Sequence, residues 1–449
     1  MRFHLSLIVL LTLSVNALAQ KTITLDQAVK IALQTNTTLQ KTTYGLQSNK
    51  ASVKSSYGAL LPSLSVNGGW NWNRSSGVGG EYVSSSGVLS TMPSSRDSRS
   101  FSLGYGLSWT LFDGLSNYRA VDQSKNDLES AKQSLKRVKQ DIVFNTTSGY
   151  YDVLNAKQLV KVREEDLEYN KKNLEVISER NELGLVTLAD VYAQQVNVGN
   201  SELALIQTVN SFETQKSQLL NYLGLDVFED VNFDDASAND TSKIIEGTMI
   251  LQEASNMSRF AGQAMQNRSD YKSAGFRLQS AQNGVDIAKS SYMPRVSASN
   301  SFSTSSDALS GLNDNRQYGV SLNISMPIFN GWSTDRNVEM AKVNVLTQEV
   351  TLTEMERQIK MDIKKTCLDF QAAQKQLEVS GKSVRSAQQN RQIEQEKYNL
   401  GAGTFVNLLL ASSNYTLALQ NYINTKFQFY KMKSQLEYYI GVPDYEKFE

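Results

Sequence analysis

Between Phe101 and Leu111 the chain alternates without a break. Phe101, Leu103, Tyr105, Leu107, Trp109 and Leu111 are large and apolar, and Ser, Gly or Thr fills every position between them. A side-chain period of two puts these sets on opposite faces of a strand. One face suits hydrocarbon, with Tyr105 and Trp109 as interface anchors, and the other is small and polar. Eleven residues is about what a tilted strand needs to cross a bilayer. After Phe112-Asp113-Gly114 the apolar spacing becomes helical and stays so to Leu183. That stretch of 69 residues spans about 100 Å at the α-helical rise.

The rest of the chain follows the same plan. Residues 22–60 read as helix, with Ala28, Ile31, Ala32 and Leu39 at helical spacing, and Pro62 stops it. Residues 63–73 alternate again, with Leu64, Val66, Trp70 and Trp72 on one face; the Ser/Gly-rich stretch 74–100 reads as a long exposed loop. An offset of 217 carries Phe112, Gly114, Gly184 and Gly224 onto Phe329, Gly331, Gly401 and Gly441. Upstream an offset of 232 carries Ala32 onto Ala264 and Pro62 onto Pro294, so the first hairpin has the longer loop. The strand before Phe329 shows Tyr318, Val320, Leu322, Ile324, Met326 and Ile328 outward. The strand after Pro294, with Val296, Ala298 and Phe302 among serines, is the weakest of the four.

The helices carry sevens. Val121, Leu128, Leu135 and Ile142 are followed by a step of 11 to Val153, Val160, Leu167 and Leu174, and the second repeat has the same break between Ile359 and Phe370. Sevens favour side-by-side coiled-coil packing, and an inserted four locally unwinds it. By length, the return helix 188–223 and the helix 264–292 stack end to end beside the first long helix, and 404–440 with 27–60 beside the second. Four strands cannot close a barrel, and a polar inner face cannot meet lipid. At least eight are needed, so the chain must oligomerise: a dimer gives eight strands and a trimer 12.

Composition then narrows the chemistry. Arg2, the apolar run Leu5–Val15 and Ala17-Leu18-Ala19 read as a secretory leader ending at residue 19. Mean hydropathy is −0.38, and no further long apolar segment predicts a transmembrane helix. Losing Arg2 with the leader leaves 44 basic residues against 45 acidic ones, so no basic excess points to nucleic acid. The only histidine, His4, lies in the leader and the only cysteine is Cys367. No Ser-His-Asp, Cys-His or His/Cys metal site can then be assembled. The chain is read as a non-enzyme without metal or cofactor, and Cys367 as a buried small residue of a helix.

The motifs resemble those of the TolC family of outer-membrane efflux proteins. They are Ile23-Thr24-Leu25-Asp26-Gln27-Ala28, Leu61-Pro62 and Met293-Pro294 before strands, and Leu111-Phe112-Asp113-Gly114 and Ile328-Phe329-Asn330-Gly331 after them. Asn267-Arg268-Ser269-Asp270 is similar to the family's Arg-Pro-Asp motif with Ser for Pro, and Leu183-Gly184 and Leu400-Gly401 match its two helical tips. The resemblance implies a mainly α chain with a membrane β part. Long coiled-coil hairpins and four strands per chain, in two structural repeats, form a shared trimeric β-barrel and α-barrel. It also implies a homotrimer in the outer membrane and its lipid, extending into the periplasm of a Gram-negative cell. That trimer docks with a periplasmic adaptor (membrane fusion protein) and an inner-membrane transporter, as the exit duct of efflux or type I secretion.

The organisation expected is a leader 1–19, a first repeat 20–225 (β-hairpin 63–111, helical hairpin 115–223) and an acidic equatorial linker 226–258. A second repeat 259–441 (β-hairpin 294–328, helical hairpin 331–440) and a tail 442–449 follow. Pro62, Gly114, Pro294 and Gly331 are the strand–helix junctions. By resemblance, Asp190 and Tyr398 link neighbouring hairpins to close the tip. Gly403 stands where the family has an Arg of that network, and Asn407 and Leu410 where it has an acidic ring. Gly184, Leu185, Val186, Gly401, Ala402 and Phe405 are the adaptor-docking tips, since their apolar side chains call for a covering partner. The reading of Asp190 from the residues alone is a solvated carboxylate at a helix start. The alternative function is a coiled-coil interaction protein of the cell envelope without a pore, against which the paired alternating strands argue.

Overall fold

The computed structural model describes residues 21–77, 79, 81–83, 85, 87, 89–91, 95–234, 257–442 and 445–447. The expected leader 1–19, most of the acidic linker (235–256) and part of the tail 442–449 lie outside the described residues. The chain divides into two compact units. One comprises Met1–Gln40, Val138–Arg268 and Gln358–Glu449; the other comprises Lys41–Arg137 and Ser269–Arg357. Two helices of 67 residues each, α3 (Ser116–Glu182) and α7 (Ser333–Asn399), contribute to both units.

The second unit carries the sheet. β2 (Ser63–Ser76), β5 (Ser95–Phe112), β7 (Arg295–Ser306) and β8 (Arg316–Ser325) form an antiparallel sheet in the order β2-β5-β7-β8. Two short strands, β3 (Glu81–Val83) and β4 (Leu89–Thr91), pair with each other. The register sorts the faces as the alternation predicts. Leu64 sits opposite Leu107, Trp109 opposite Ala298, and Phe302 opposite Tyr318. On this face the Tyr105, Phe302 and Tyr318 rings follow one another across the strands, with centroids 5.8 and 4.9 Å apart. The other face is hydroxyl-rich: Ser63 and Ser108 lie 2.8 Å apart, Ser299 and Ser321 2.6 Å. β5 begins at Ser95, earlier than its alternation, because Ser95–Ser100 continues the ladder with Asn71–Ser76. β8 ends at Ser325, short of the expected 328, since Pro327 has no amide to donate.

The strand–helix junctions repeat one device. Asp113 Oδ2 accepts from Asn117 N at 3.1 Å, and Asn330 Oδ1 accepts from Thr334 N at 3.4 Å, each starting a long helix. Gly114 (φ 67°) and Gly331 (φ 64°) take the left-handed conformation. Their surroundings differ. A Cβ on Gly114 would sit 2.7 Å from both Met293 Cβ and the Ser290 carbonyl, whereas one on Gly331 meets nothing within 4 Å.

The first unit is helical around a small parallel β pair. β1 (Lys21–Ile23) pairs with β6 (Val231–Phe233), and the buried Tyr150 hydroxyl of α3 donates to Ile23 O (2.8 Å) and Asp234 O (3.1 Å). The helix expected over 22–60 is two helices, α1 (Leu25–Thr35) and α2 (Thr37–Gly58). Asn36 is extended between them, and its Oδ1 accepts from Thr38 N and Leu39 N to start α2. The helix expected over 264–292 is likewise α5 (Met257–Asn267) and α6 (Ser269–Ser290), interrupted at Arg268.

Each break receives the end of a return helix. α4 (Leu188–Leu223) ends in left-handed Gly224; Asn36 Nδ2 donates to Tyr222 O and Thr35 Oγ1 to Leu223 O. α8 (Phe405–Ile440) ends at Gly441, packed on the backbone of Asn267 and Arg268. Each return helix therefore meets the break of its own repeat. This corrects the expected stacking of 188–223 on 264–292 and of 404–440 on 27–60, for which length was the only guide. The sevens run along a covered stripe: Val121, Ile142, Val153 and Leu167, then Val338, Ile359 and Phe370, are under 10% exposed, while Leu128, Leu135, Val160, Leu174, Val345 and Leu352 are half-buried. Cys367 is buried, which pushes its thiol pKa up and leaves it a poor nucleophile.

Two expected outcomes follow. Gly114→Ala carries about 1–2 kcal/mol for the left-handed backbone plus a backbone clash, and Gly331→Ala carries the first alone. Thermal melting of the purified protein should fall further for Gly114→Ala; equal drops would remove the close approach from the account. On the sheet, Leu322→Arg should cost about 2–4 kcal/mol if its side chain lies near mid-membrane, while Asn323→Arg on the polar face is mild. Equal tolerance in heat-modifiable gel migration would rule out a lipid-facing register.

Candidate functional site

The two helical hairpins turn by the same capping chemistry. At the end of α3, Gly184 (φ 72°) lets Leu185 N reach Arg180 O at 2.9 Å; at the end of α7, Gly401 (φ 70°) lets Ala402 N reach Lys397 O at 2.9 Å. These are six-to-one bonds, which satisfy carbonyls that a helix end leaves open. Each return helix then starts on a threonine. Thr187 Oγ1 accepts from Asp190 N at 3.3 Å, and Thr404 Oγ1 accepts from Asn407 N at 3.2 Å. Asp190 and Asn407 are thus the same position of the two repeats, 217 residues apart.

This geometry engages Asp190 locally. Its Oδ2 accepts from Thr187 N (3.1 Å) and from Thr187 Oγ1 (2.8 Å), a reciprocal capping box. Tyr398 lies elsewhere in chemical terms. It is 7% exposed in an apolar cluster with Ile177, Val191, Phe405 and Leu408, flanked by Leu174 and Val186, and its buried hydroxyl has no hydrogen-bond partner among the described residues. Within one chain, Asp190 and Tyr398 are therefore not hydrogen-bonded to each other. The Tyr398 and Phe405 rings pack with centroids 5.9 Å apart.

A cation not anticipated from the sequence joins this cluster. The Arg180 guanidinium lies 4.9 Å from the Tyr398 ring centroid, and its Nη1 donates to Tyr398 O at 3.4 Å. It ties the end of α3 to the end of α7 where Gly403 offers no side chain. At Gly403 a Cβ would press on Lys397 Cβ (3.0 Å) and Tyr398 N (3.2 Å), so an arginine there would require these neighbours to give by a few tenths of an ångström. Phe405, expected on an uncovered apolar tip, is instead buried at 8% exposure because Tyr398 covers it. Leu185 at 70% exposure does stand uncovered, Ala402 and Asn407 are exposed, and Leu410 is 60% exposed. Val186 is half-buried against the cluster. The repeat offset was the usable signal for part of this set, since it relates Val191 to Leu408.

Farther from the tip, polar contacts join the hairpins. Asp166 on α3 accepts from Ser201 Oγ of α4 (3.0 Å) and Thr416 Oγ1 of α8 (2.8 Å). Arg391 on α7 lies between the Tyr169 and Tyr415 rings, 5.1 and 4.1 Å from their centroids. Asp152 on α3 pairs with Lys431 on α8 at 2.8 Å. These are ties between packed helices. Among the described residues no group of three or more His, Cys, Asp or Glu is placed to hold a metal ion. No described helix is long and apolar enough to cross a membrane.

Comparison with known proteins places this architecture. The family profile described as "Outer membrane efflux protein" matches residues 28–225 and 260–442, which are the two repeats. Protein CyaE of Bordetella pertussis is 24% identical over 321 residues, 71% of this chain and 65% of that protein, just under two thirds of its length. Outer membrane protein TolC of Escherichia coli is 23% identical over 364 residues, 79% of this chain and 71% of that protein. Among solved structures, CusC superposes with a TM-score of 0.77 at 15% identity, covering 93% of this chain and 92% of that one. VceC of Vibrio cholerae gives 0.73 at 17% identity, covering 93% and 96%; at such identities both speak for the fold. With the profile matched across both repeats, the chain belongs to the outer membrane efflux protein family, and its place is the outer membrane.

Proposed function

We propose that the chain is the exit duct of a tripartite efflux or type I secretion system, passively conducting small molecules or proteins handed to it by an inner-membrane pump through a periplasmic adaptor. The observation that carries this reading is the sheet. It has one apolar face, one hydroxyl-lined face and two unpaired edges, on β2 and β8. In lipid an unpaired edge leaves backbone groups unsatisfied at several kcal/mol each. Three copies would close those edges into 12 strands, within the range of known barrels, and turn every polar face into one bore. A pore-free coiled-coil protein gives no account of that face. Heat-modifiable migration and single-channel conductance of the purified protein test the reading; a heat-insensitive, non-conducting oligomer would sink it.

The tip is read as the closure. The cluster of Ile177, Val191, Tyr398, Phe405 and Leu408, with Arg180 on the Tyr398 ring, holds the two hairpins of a chain together. Asp190 serves this by starting α4 correctly rather than by a bond to Tyr398. The exposed Leu185 and Ala402 at the turns remain the proposed contacts for the adaptor.

Tyr398→Phe should leave conductance near wild type, because the hydroxyl it removes has no partner. Tyr398→Ala removes a buried ring, worth about 3–5 kcal/mol at a fully packed site, and should raise conductance and sensitivity to bulky antibiotics. Arg180→Ala should act in the same direction, more weakly, by roughly the 0.5–2 kcal/mol of a cation–π contact. If Tyr398→Phe opened the channel as far as Tyr398→Ala, the hydroxyl rather than the packed ring would be the latch. Crosslinkers at Leu185 or Ala402 should capture a periplasmic adaptor in cells expressing the pump; capture of none would move docking away from the turns.

A further inference from the structure

The polar face of the sheet carries little charge: by register Arg96, opposite Ser75, stands at the end of β5 far from the helices, and a single charged position stands at the end nearest them. Between those two ends the residues of this face are Ser, Asn, Gly, Thr and Gln, as in the pairs Ser297–Asn323 and Ser299–Ser321. Arg295 opens β7 on the same face, opposite Ser325, and its position is fixed twice. The register puts it two residues before Ser297, and its Nη2 donates to Thr110 Oγ1 of β5 at 3.4 Å, across a point where Val296 has shifted opposite Phe112. Arg295 is exposed and makes no ion pair among the described residues. The carboxylates of the neighbouring junctions, Asp113 and Asp335, keep their charge while accepting from Asn117 N and the Tyr292 hydroxyl, and neither forms an ion pair with Arg295.

We propose that Arg295 makes the inner mouth of the barrel an anion-favouring ring, so that the duct passes anionic solutes, those bearing carboxylate, sulfate or phosphate, in preference to cations. The inference rests on the duct reading above, since only closure by several copies brings these guanidiniums around one bore. The physical basis is the contrast between a permanent charge and its surroundings. Arginine stays protonated at every working pH. A wall of hydroxyls and amides offers no opposing charge to neutralise it. At about 10 Å in water one such charge changes local ion concentration by roughly one and a half to twofold, provided salt is low enough for the field to reach. Several around one mouth multiply that factor. The equivalent position of the first repeat, after Pro62, is the neutral Ser63, so the charge enters once per chain.

The test is the reversal potential of the purified protein in planar bilayers across a KCl gradient near 0.01 M, where screening extends over about 30 Å. Wild type and Arg295→Lys should share an anion preference. Arg295→Gln should lower the anion-to-cation permeability ratio at least about twofold, and Arg295→Glu should carry it further toward cations. Tripolyphosphate added from the helical side should block wild type at lower concentration than Arg295→Gln. Conducting channels whose reversal potentials agree across all four proteins would overturn the role of Arg295 and leave the duct intact. Absence of conductance in every one would overturn the duct reading and this inference with it.

Discussion

Backbone groups in lipid have no water to bond, and that constraint reaches through the whole second unit. β5 and β7 are satisfied on both sides by neighbours; β2 and β8 each have one bare edge. Neither edge strand contains a proline, and the charges they carry, Arg74 and Arg316, stand only at their ends far from the helices, leaving the middle of each edge without the usual protections of a soluble sheet. The edges are instead polar-backed and flanked by exposed Leu64, Val66, Trp70, Val320 and Ile324, as expected of strands that will be paired and wetted by lipid. The alternation of side chains, the hydroxyl face and the demand for further copies are one requirement seen from three sides.

Duplication supplied the two halves, and packing then drew them apart. The Asx caps at Asp113 and Asn330, the left-handed turns at Gly184 and Gly401, and the threonine N-caps at 187 and 404 recur at one offset because they are backbone devices with few chemical solutions. What surrounds them is free to vary. Gly114 is pressed against Ser290 and Met293, while Gly331 has open space. Asn181, whose Nδ2 donates to Val186 O inside the first turn, corresponds to Tyr398, which packs instead among apolar side chains of both hairpins.

Much of this was legible from spacing. Strands, long helices, the sevens and the repeat all follow from periods of two and seven, and α4 appears at Leu188–Leu223 as read. β7 was the faintest strand because small Ser and Ala fill most of its positions and leave only Val296 and Phe302 to mark the apolar face. The helix breaks were hidden because Asn36 and Arg268 are ordinary helix residues until a return helix docks on them. The stacking order of the return helices was misread because length says nothing of which end meets which. At the tip, residue types were read as an acid and a phenol able to bond. Three-residue spacing gave the carboxylate to Thr187 first, since a local bond at a helix start needs no closure of distant chain.

A closure built on apolar packing behaves differently from one built on ion pairs. Ion pairs at an exposed tip weaken with salt and contribute little, whereas burial of rings and branched side chains is indifferent to ionic strength. In the tip described here Arg180 lies against the Tyr398 ring, held by the ring face and a carbonyl. The same packing carries a built-in debt: a buried phenol without a partner costs about 1–3 kcal/mol. When the hairpins part, water reaches that hydroxyl and the debt is relieved, which offsets part of the cost of exposing Phe405 and Leu408. If the tip is the closure proposed above, that relief narrows the free-energy gap to the parted state, and a partner then needs less differential affinity to shift the population.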